Sequence, residues 1–158
     1  MVELDRTDAR ILAALQRDGR ISIVDLAEQV GLSPTPCARR VKRLEDARVI
    51  EGYAAVVDPR RVGHAVQAFV QVKLERHTDE EAARFRRGLE ELPEVIACYA
   101  MTGEMDFLLQ VLVPDIDALG AFTLHRLMRL PGVRDVRSSL VLETIKRSRS
   151  VPVEHLAR

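Results

Sequence analysis

The sequence of 158 residues contains no tryptophan, only 4% aromatic residues, two cysteines and no excess of either charge. Scarce aromatic side chains argue against a platform on which single-stranded bases could stack. Because the formal net charge is zero, any attraction to nucleic acid must come from a local cationic patch. The first residues are acidic and no apolar run approaches bilayer length, so we expect neither a secretory signal nor a membrane span.

The polar chemistry of the sequence also lacks the patterns of metal and catalytic sites. Cys37 and Cys98 lie far apart in apolar surroundings, and no Cys/His cluster has metal-ligand spacing. We therefore expect no metal, no cofactor and a reduced, cytoplasmic setting. No nucleophile–base pair or phosphate-binding loop is recognisable, so an enzyme is not expected. The 47% hydrophobic and 30% charged residues that are present suit a soluble α+β protein of one or two domains.

Residues 33–45 contain the strongest functional signal, a short amphipathic helix with one cationic side. Ser33 is a suitable N-cap, and Pro34 follows at the first helical position, where its missing N–H is tolerated. Helical spacing places Cys37, Val41 and Leu44 on one narrow apolar stripe. The opposite side has hydroxyl-bearing and cationic residues, namely Thr35, Arg39, Lys42 and Arg43. Such a helix is suited to pack on a core and meet phosphate.

A second helix and a tight turn precede this segment. Ser22 can cap that helix, and Gly31 permits the left-handed turn that ends it. Helix, short glycine-containing turn and helix form a helix-turn-helix, whose second helix lies in the major groove. The candidate DNA-contacting residues are Ser33, Thr35, Pro36, Arg39, Arg40, Lys42 and Arg43. The alternative is an ordinary helix with a solvated charged face.

The pattern divides the chain into two domains. A first helix, capped by Asp5 or Thr7, runs to about Gln16, and the β-prone residues 49–57 predict a small wing or linker strand. We expect a winged-type helix-turn-helix domain over residues 1–57, a linker over 58–64, and a second domain over 65–158. Alternatively, residues 58–63 are a loop within one domain.

The second half has the order β-α-β-β-α-β, the ferredoxin-like arrangement. Strands are predicted at 65–75, 95–102, 107–113 and 133–146, with helices beginning near Thr78 and Pro114. The third strand is almost wholly apolar and is therefore expected to be central. Because both helices cover one face of the sheet, we predict a homodimer that covers the other face.

These segments together resemble the Lrp/AsnC (feast/famine) family of bacterial transcriptional regulators. The resemblance rests on Ser33-Pro34-Thr35-Pro36-Cys37 with Arg39, Val41 and Arg43-Leu44-Glu45, then on Ile50-Glu51-Gly52-Tyr53, Gly103-Glu104-Met105-Asp106-Phe107 and Leu130-Pro131-Gly132-Val133. It implies operator binding by the N-terminal domain, an amino-acid effector, and dimers that build octamers. Two departures stand out. Ala47-Arg48-Val49 replaces the glycine usual after the second helix of the motif, and Phe107 stands where a tyrosine is common.

The loop 103–106 is the candidate effector site. A free amino acid needs an acceptor for its ammonium group and closely approachable N–H groups for its carboxylate, and glycine permits that approach. Asp106 is the preferred ammonium partner and Glu104 the second. With the residues that the resemblance adds, the candidate effector-binding set is Met101, Thr102, Gly103, Glu104, Asp106, Met128, Ser138, Ser139 and Leu140. The alternative is an ordinary hairpin turn.

The sequence therefore predicts a sequence-specific DNA-binding transcriptional regulator whose DNA binding or assembly responds to an amino acid. The competing hypothesis is an amino-acid-binding assembly module without sequence-specific DNA binding. The two hypotheses share a fold and differ in what the cationic helix contacts.

Overall fold

The computed structural model describes residues 3–76, 78–148 and 150–157. The chain forms two compact units, one ending at Val56 and containing also the residues from Lys146 onward, the other spanning Val57–Ile145. The C-terminal segment was expected to belong to the second domain. It joins the first unit because Val153 packs against that core and the Gln16 side-chain amide binds both backbone groups of Val151, at 3.1 and 2.5 Å.

The first unit is built on three helices: α1 (Arg6–Arg17), α2 (Ile23–Val30) and α3 (Pro34–Asp46). Local sequence determines their starts and stops. Asp5 caps α1, the Ser22 hydroxyl accepts from the Asp25 N–H to cap α2, and Gly31 ends α2 with a left-handed φ of 74°. The apolar faces meet in one core of Ile11, Leu12, Ala14, Leu26, Ala27, Val30, Cys37, Val41 and Leu44.

Both ends of α3 differ in detail from expectation. Ser33 occupies the N-cap position, but its side chain makes no capping hydrogen bond. The N3 position that usually donates to a cap is Pro36, which has no N–H. At the other end Arg48 adopts φ 57°, the left-handed conformation for which a glycine is usual. The backbone therefore makes the same turn without the glycine.

Residues 49–57 form no strand, so the predicted wing or linker strand is wrong for this chain. A β-prone sequence becomes a strand only when a neighbour supplies ladder hydrogen bonds. Here Val49 and Ile50 instead pack against the first core, and the Tyr53 hydroxyl donates to Glu45 Oε1 at 2.9 Å. Side chains, rather than a ladder of backbone hydrogen bonds, anchor this segment to the first unit.

The second unit confirms the βαββαβ order. After a short 3₁₀ helix (Pro59–Val62), its elements are β1 (Val66–Leu74), α4 (Asp79–Glu90), β2 (Val95–Ala100), β3 (Phe107–Val113), α5 (Ile116–His125), a 3₁₀ turn (Leu127–Arg129) and β4 (Val133–Leu140). The antiparallel sheet has the order β2-β3-β1-β4, with β3 in the interior as predicted. Alternate residues of β1 and β3 pack with Phe85, Leu119, Phe122 and Leu127 in one core.

β4 is shorter than expected and ends at Leu140 rather than Lys146. Leu140 pairs with Ala68 of β1, and the Val141 N–H still donates to the Gln67 carbonyl at 2.9 Å. β1 begins at Val66, so the following residues have passed the start of their partner strand. Leu142 and Ile145 are consequently left 91% and 84% exposed.

The face of the sheet away from the buried residues remains partly open. Phe69, Leu108 and Leu112 alternate with the buried positions and are only half-buried, and Tyr99, paired with Leu108, is exposed. Among the described residues no helix is long and apolar enough to cross a bilayer.

Candidate functional site

α3 presents two different polar sides. Its buried seam, Cys37, Val41 and Leu44, follows the helical repeat closely. Side chains opposite that seam are therefore Thr35, Arg39 and Lys42, which are all exposed. Lys42 Nζ lies 3.5 Å from Asp46 Oδ1, a solvent-exposed pair that holds the lysine only weakly. This outward side remains accessible to a ligand of negative charge.

Arg40 and Arg43 lie on the flank of α3 that meets the start of α1. Asp8 is fully buried there, and its Oδ1 accepts from Arg40 Nη1 at 2.9 Å while its Oδ2 accepts from Arg43 Nη2. Arg40 Nη1 also reaches Asp5 Oδ2 at 2.7 Å. Two of the predicted DNA-contacting arginines are thus partly engaged within the protein.

These contacts change the pKa values of Asp5, which is exposed, and Arg40, which is half-buried. A hydrogen bond from the Asp8 backbone N–H, and then one from Arg40, lower the pKa of Asp5. Hydrogen bonds to Asp5, and then to Asp8, raise the pKa of Arg40. Both shifts favour the ionised pair at neutral pH.

The remaining predicted contacts lie at the first turn of α3. Ser33 and Thr35 are exposed, and Pro36 is half-buried on the same side as Arg40 and Arg43. Because Pro34 and Pro36 have no N–H, this end of α3 attracts anions mainly through the helix dipole and the Thr35 N–H. The first turn therefore combines two hydroxyl groups with a local positive potential.

Part of the predicted effector set lines a small cavity in the second unit. Its volume is about 190 Å³, and its lining residues are Gln71, Met101, Thr102, Glu104, Met105, Phe107 and Arg137. Arg137 Nη2 donates to Glu104 Oε1 at 2.9 Å. Gly103, in the loop between β2 and β3, has φ 112°. The lining of the cavity thus includes one cationic and one anionic side chain beside apolar and thioether groups.

Asp106, the preferred ammonium partner, also makes hydrogen bonds within the fold. Its Oδ2 accepts from the Leu74 N–H at 2.7 Å, at the irregularity in the pairing of β1 with β4. Its backbone N–H donates to the Val72 carbonyl, and its carbonyl accepts from Met101 N. Asp106 therefore joins the loop to β1, whereas Glu104 lines the cavity. Glu104 and Asp106 both remain candidate ammonium partners, and only Glu104 lines the cavity.

The other predicted effector residues do not line this cavity. Ser138, Ser139 and Leu140 follow Arg137 along β4. Met128 is in the 3₁₀ turn that precedes β4, and its side chain is 46% exposed. Sequence reasoning missed Arg137 and Gln71, which face each other across β1 and β4. The alternation of β4 could have indicated Arg137, because an amino-acid carboxylate calls for a cation.

Sequence reasoning also missed Asp5 and Asp8, the carboxylates that pair with the arginines of α3. The sequence showed them as acidic residues at the start of α1, and their contacts with Arg40 are 35 and 32 residues distant in the chain. Among the described residues, no group of three or more His, Cys, Asp or Glu is placed to hold a metal ion.

Comparison with known proteins assigns both halves of the chain. Residues 4–45 match the AsnC-type helix-turn-helix domain, and residues 67–151 match the Lrp/AsnC ligand binding domain. The first match contains α1, α2 and nearly all of α3, and the second contains the sheet and both of its helices. The cationic helix and the small cavity therefore fall in the two functional domains of one family.

Full-length relatives agree with this assignment. The chain is 45% identical over 145 residues to the Bkd operon transcriptional regulator of Pseudomonas aeruginosa, covering 92% of this chain and 95% of that one. It is 40% identical over 152 residues to the leucine-responsive regulatory protein of Escherichia coli, with 96% and 93% covered. A transcriptional regulator of Neisseria meningitidis, solved in complex with L-methionine, superposes with a TM-score of 0.93 at 44% identity, covering 97% and 99%. The chain therefore belongs to the Lrp/AsnC family of transcriptional regulators, and is a DNA-binding regulator rather than an enzyme.

Proposed function

We propose that the outward side of α3 binds a specific duplex sequence and that a free amino acid, bound at the Glu104–Arg137 cavity, modulates this binding. The observation that carries the DNA half is the exposure of Thr35, Arg39 and Lys42 opposite the buried seam of the helix. A side chain in that position can enter the major groove while the seam stays packed.

Division of labour within α3 follows from its two sides. Arg39 and Lys42 are placed for base edges or nearby phosphates, and Ser33 and Thr35 for the phosphate next to the helix N-terminus. Arg43 is 46% exposed despite its bond to Asp8, so it can still reach a phosphate. Pro36 shapes the first turn of the helix, and Arg40, whose side chain is 30% exposed, can meet a phosphate beside Arg43.

The effector half rests on charge complementarity. A zwitterionic amino acid can place its carboxylate at Arg137 and its ammonium group at Glu104, replacing their mutual ion pair. The lining thioethers of Met101 and Met105 suit an apolar side chain such as that of leucine or methionine. A cavity of about 190 Å³ is small for a complete ligand site, which supports a site completed by a second subunit bringing Met128 and residues 138–140 nearer.

Assembly follows from the open face of the sheet. A second copy covering Phe69, Leu108 and Tyr99 gives a homodimer, and the exposed stripe of Ile116, Leu124 and Met128 supports further association toward an octamer. As a regulator of transcription it acts in the cytoplasm, on double-stranded DNA.

The DNA half is tested with duplexes selected from a random library by the wild-type protein. Replacing Arg39 and Lys42 by alanine should weaken binding and reduce the slope of log affinity against log salt by about one unit per lost phosphate contact. Replacing Arg84 and Arg87, exposed cations of the second unit, is the control. Failure to enrich any duplex would favour the assembly module without sequence-specific binding.

The effector half is tested by thermal shift with each of the twenty amino acids, followed by DNA binding with the one that stabilises most. Glu104→Gln and Arg137→Gln should each remove the shift without lowering the unliganded melting temperature, since both side chains are exposed. Asp106→Asn should lower that temperature by weakening the bond to Leu74. An unchanged shift in Glu104→Gln would exclude Glu104 as the ammonium partner.

A further inference from the structure

Asp8 is the only charged side chain among the described residues that is completely buried. Its two oxygens accept three hydrogen bonds: from Arg40, from Arg43 and, at 3.0 Å, from the Asp5 backbone N–H. The Asp5 side chain returns a bond by accepting from the Asp8 N–H at 2.8 Å. One carboxylate therefore joins the first turn of α1 to two successive turns of α3.

Stability alone does not account for this arrangement. Apolar residues of similar volume often replace a buried ion pair at no cost in stability, so such a pair is weak evidence for a stabilising role. An N-terminal cap on α1 needs only Asp5 and the backbone. What the Asp8 carboxylate adds is a geometric constraint on two guanidinium groups that lie three residues apart on the recognition helix.

Both guanidinium groups remain accessible while they are held. The side chains of Arg40 and Arg43 are 30% and 46% exposed. The bonds to Asp8 use Nη1 of one and Nη2 of the other, and each guanidinium group carries five N–H donors. Donors on the solvent side can therefore face a phosphate in a fixed orientation, at low entropic cost.

We propose that Asp8 is a positioning residue for DNA recognition, which holds Arg40 and Arg43 and thereby fixes the rotation of α3 about its axis. In that rotation Arg39 and Lys42 meet the base edges and Thr35 meets the phosphate next to the helix N-terminus. The inference rests on the proposed DNA binding by α3 and adds a residue that touches no DNA itself.

Removing the carboxylate has opposite effects under the two possible roles. If Asp8 acted only through its charge, its loss would strengthen attraction to every duplex, because the protein gains one positive charge. If Asp8 positions the arginines, binding to unrelated DNA strengthens while binding to the selected duplex weakens. The ratio of the two affinities therefore separates positioning from charge, and a purely structural role would leave it unchanged in the folded fraction.

The experiment compares Asp8→Asn with Asp46→Asn in the full-length protein, by fluorescence anisotropy on the duplex selected by the wild type and on a scrambled duplex of equal composition. Both changes remove one negative charge beside α3, but Asp46 is exposed and its ion pair is with Lys42. We expect Asp8→Asn to lower the ratio of specific to nonspecific affinity about tenfold. We expect Asp46→Asn to raise both affinities and keep the ratio.

Arg40→Lys keeps the charge but removes the planar guanidinium group, whose Nη1 donates to both Asp5 and Asp8. This variant decides the question if Asp8→Asn does not fold. It should lower the same ratio about threefold. The proposal would be overturned if Asp8→Asn and Arg40→Lys, where they fold, both leave the ratio of specific to nonspecific affinity unchanged. Absence of any selected duplex for the wild type would instead refute the DNA binding on which the proposal rests.

Discussion

The two units of this chain bury their apolar surface in different ways. In the first unit three helices and the segment around Val153 surround one core, and the large cationic side chains outside it are exposed or paired with nearby carboxylates. In the second unit the helices cover one face of the sheet, while Phe69 and Leu108 remain half-buried on the other. A closed core with a charged surface suits a phosphate ligand, and an open apolar face suits another protein surface.

This difference implies that the two units depend differently on protein concentration. In the proposed dimer the second unit is stabilised further by every dimer formed, because its open sheet face is covered, whereas the core of the first unit is enclosed within one chain. Changes at the open sheet should therefore affect assembly strongly. Changes within the first unit should affect local stability by much smaller amounts.

The largest effect is expected for Leu108→Glu. Leu108 lies on β3, an interior strand, opposite Tyr99 and Gln71, at the centre of the open face. In a two-fold dimer the new carboxylate appears twice, and burial without a partner should cost roughly 4 kcal/mol, or about a thousandfold in the dissociation constant. Sedimentation equilibrium at micromolar concentration should show monomers.

Leu124→Glu is the matched control for that experiment. Leu124 is 58% exposed on α5, on the helical side of the sheet. The dimer should survive this change while assemblies larger than the dimer decrease. A dimer of unchanged stability in Leu108→Glu would show that the open face is not the dimer interface.

Local sequence predicted much of both units because the signals are local. A serine or threonine before a helix, a glycine after it and an apolar repeat of the correct period depend on neighbours a few residues away. Ser22, Gly31 and Thr78 were assigned on such grounds, and the structure places all three as expected. The apolar–polar alternation of residues 66–74 is a local signal of the same kind, and Ala68, Val70 and Val72 are buried.

The errors arose where distant residues decide. The stretch 49–57 has strand-forming residues but no described ladder partner, and β4 stops where β1 begins. The bond from the Leu74 N–H to Asp106, 32 residues away, was not predicted. The Asp8 network was not predicted either, because nothing in a linear pattern shows that the start of α1 meets the flank of α3.

A smaller effect is expected for Arg48→Gly, and only in the first unit. Arg48 has φ 57°, which costs an ordinary residue about 1 kcal/mol and a glycine almost nothing. Urea unfolding of the full chain should show the first unit stabilised by about 1 kcal/mol, with the transition of the second unit unmoved. Arg48→Ala removes the same side chain but keeps the strain, so it should give no such gain. Equal stabilisation by alanine would assign the effect to the lost charge.

The smallest expected effect concerns Tyr53, which anchors the segment after α3 and tests the closure of the first unit. Its ring approaches Gly19, and its hydroxyl donates to Glu45. Burial, then the hydrogen bond and charge of Glu45, raise the pKa of Tyr53 to about 12 from 10.0. The protonated form is thus favoured by the fold.

The sign of the pH dependence follows from that shift. Between pH 10 and about 12 the folded chain holds a proton that the unfolded chain has released, so stability is fully present below pH 10 and falls as the pH rises through this window. Because the side chain is half exposed, the loss should be small. Tyr53→Phe keeps the ring but has no proton to release, so its unfolding free energy should decline less steeply than that of the wild type above pH 10. Parallel profiles for the two proteins would mean that the Tyr53 hydroxyl does not hold residues 49–57 to α3, and the first unit would then be less closed than its core suggests.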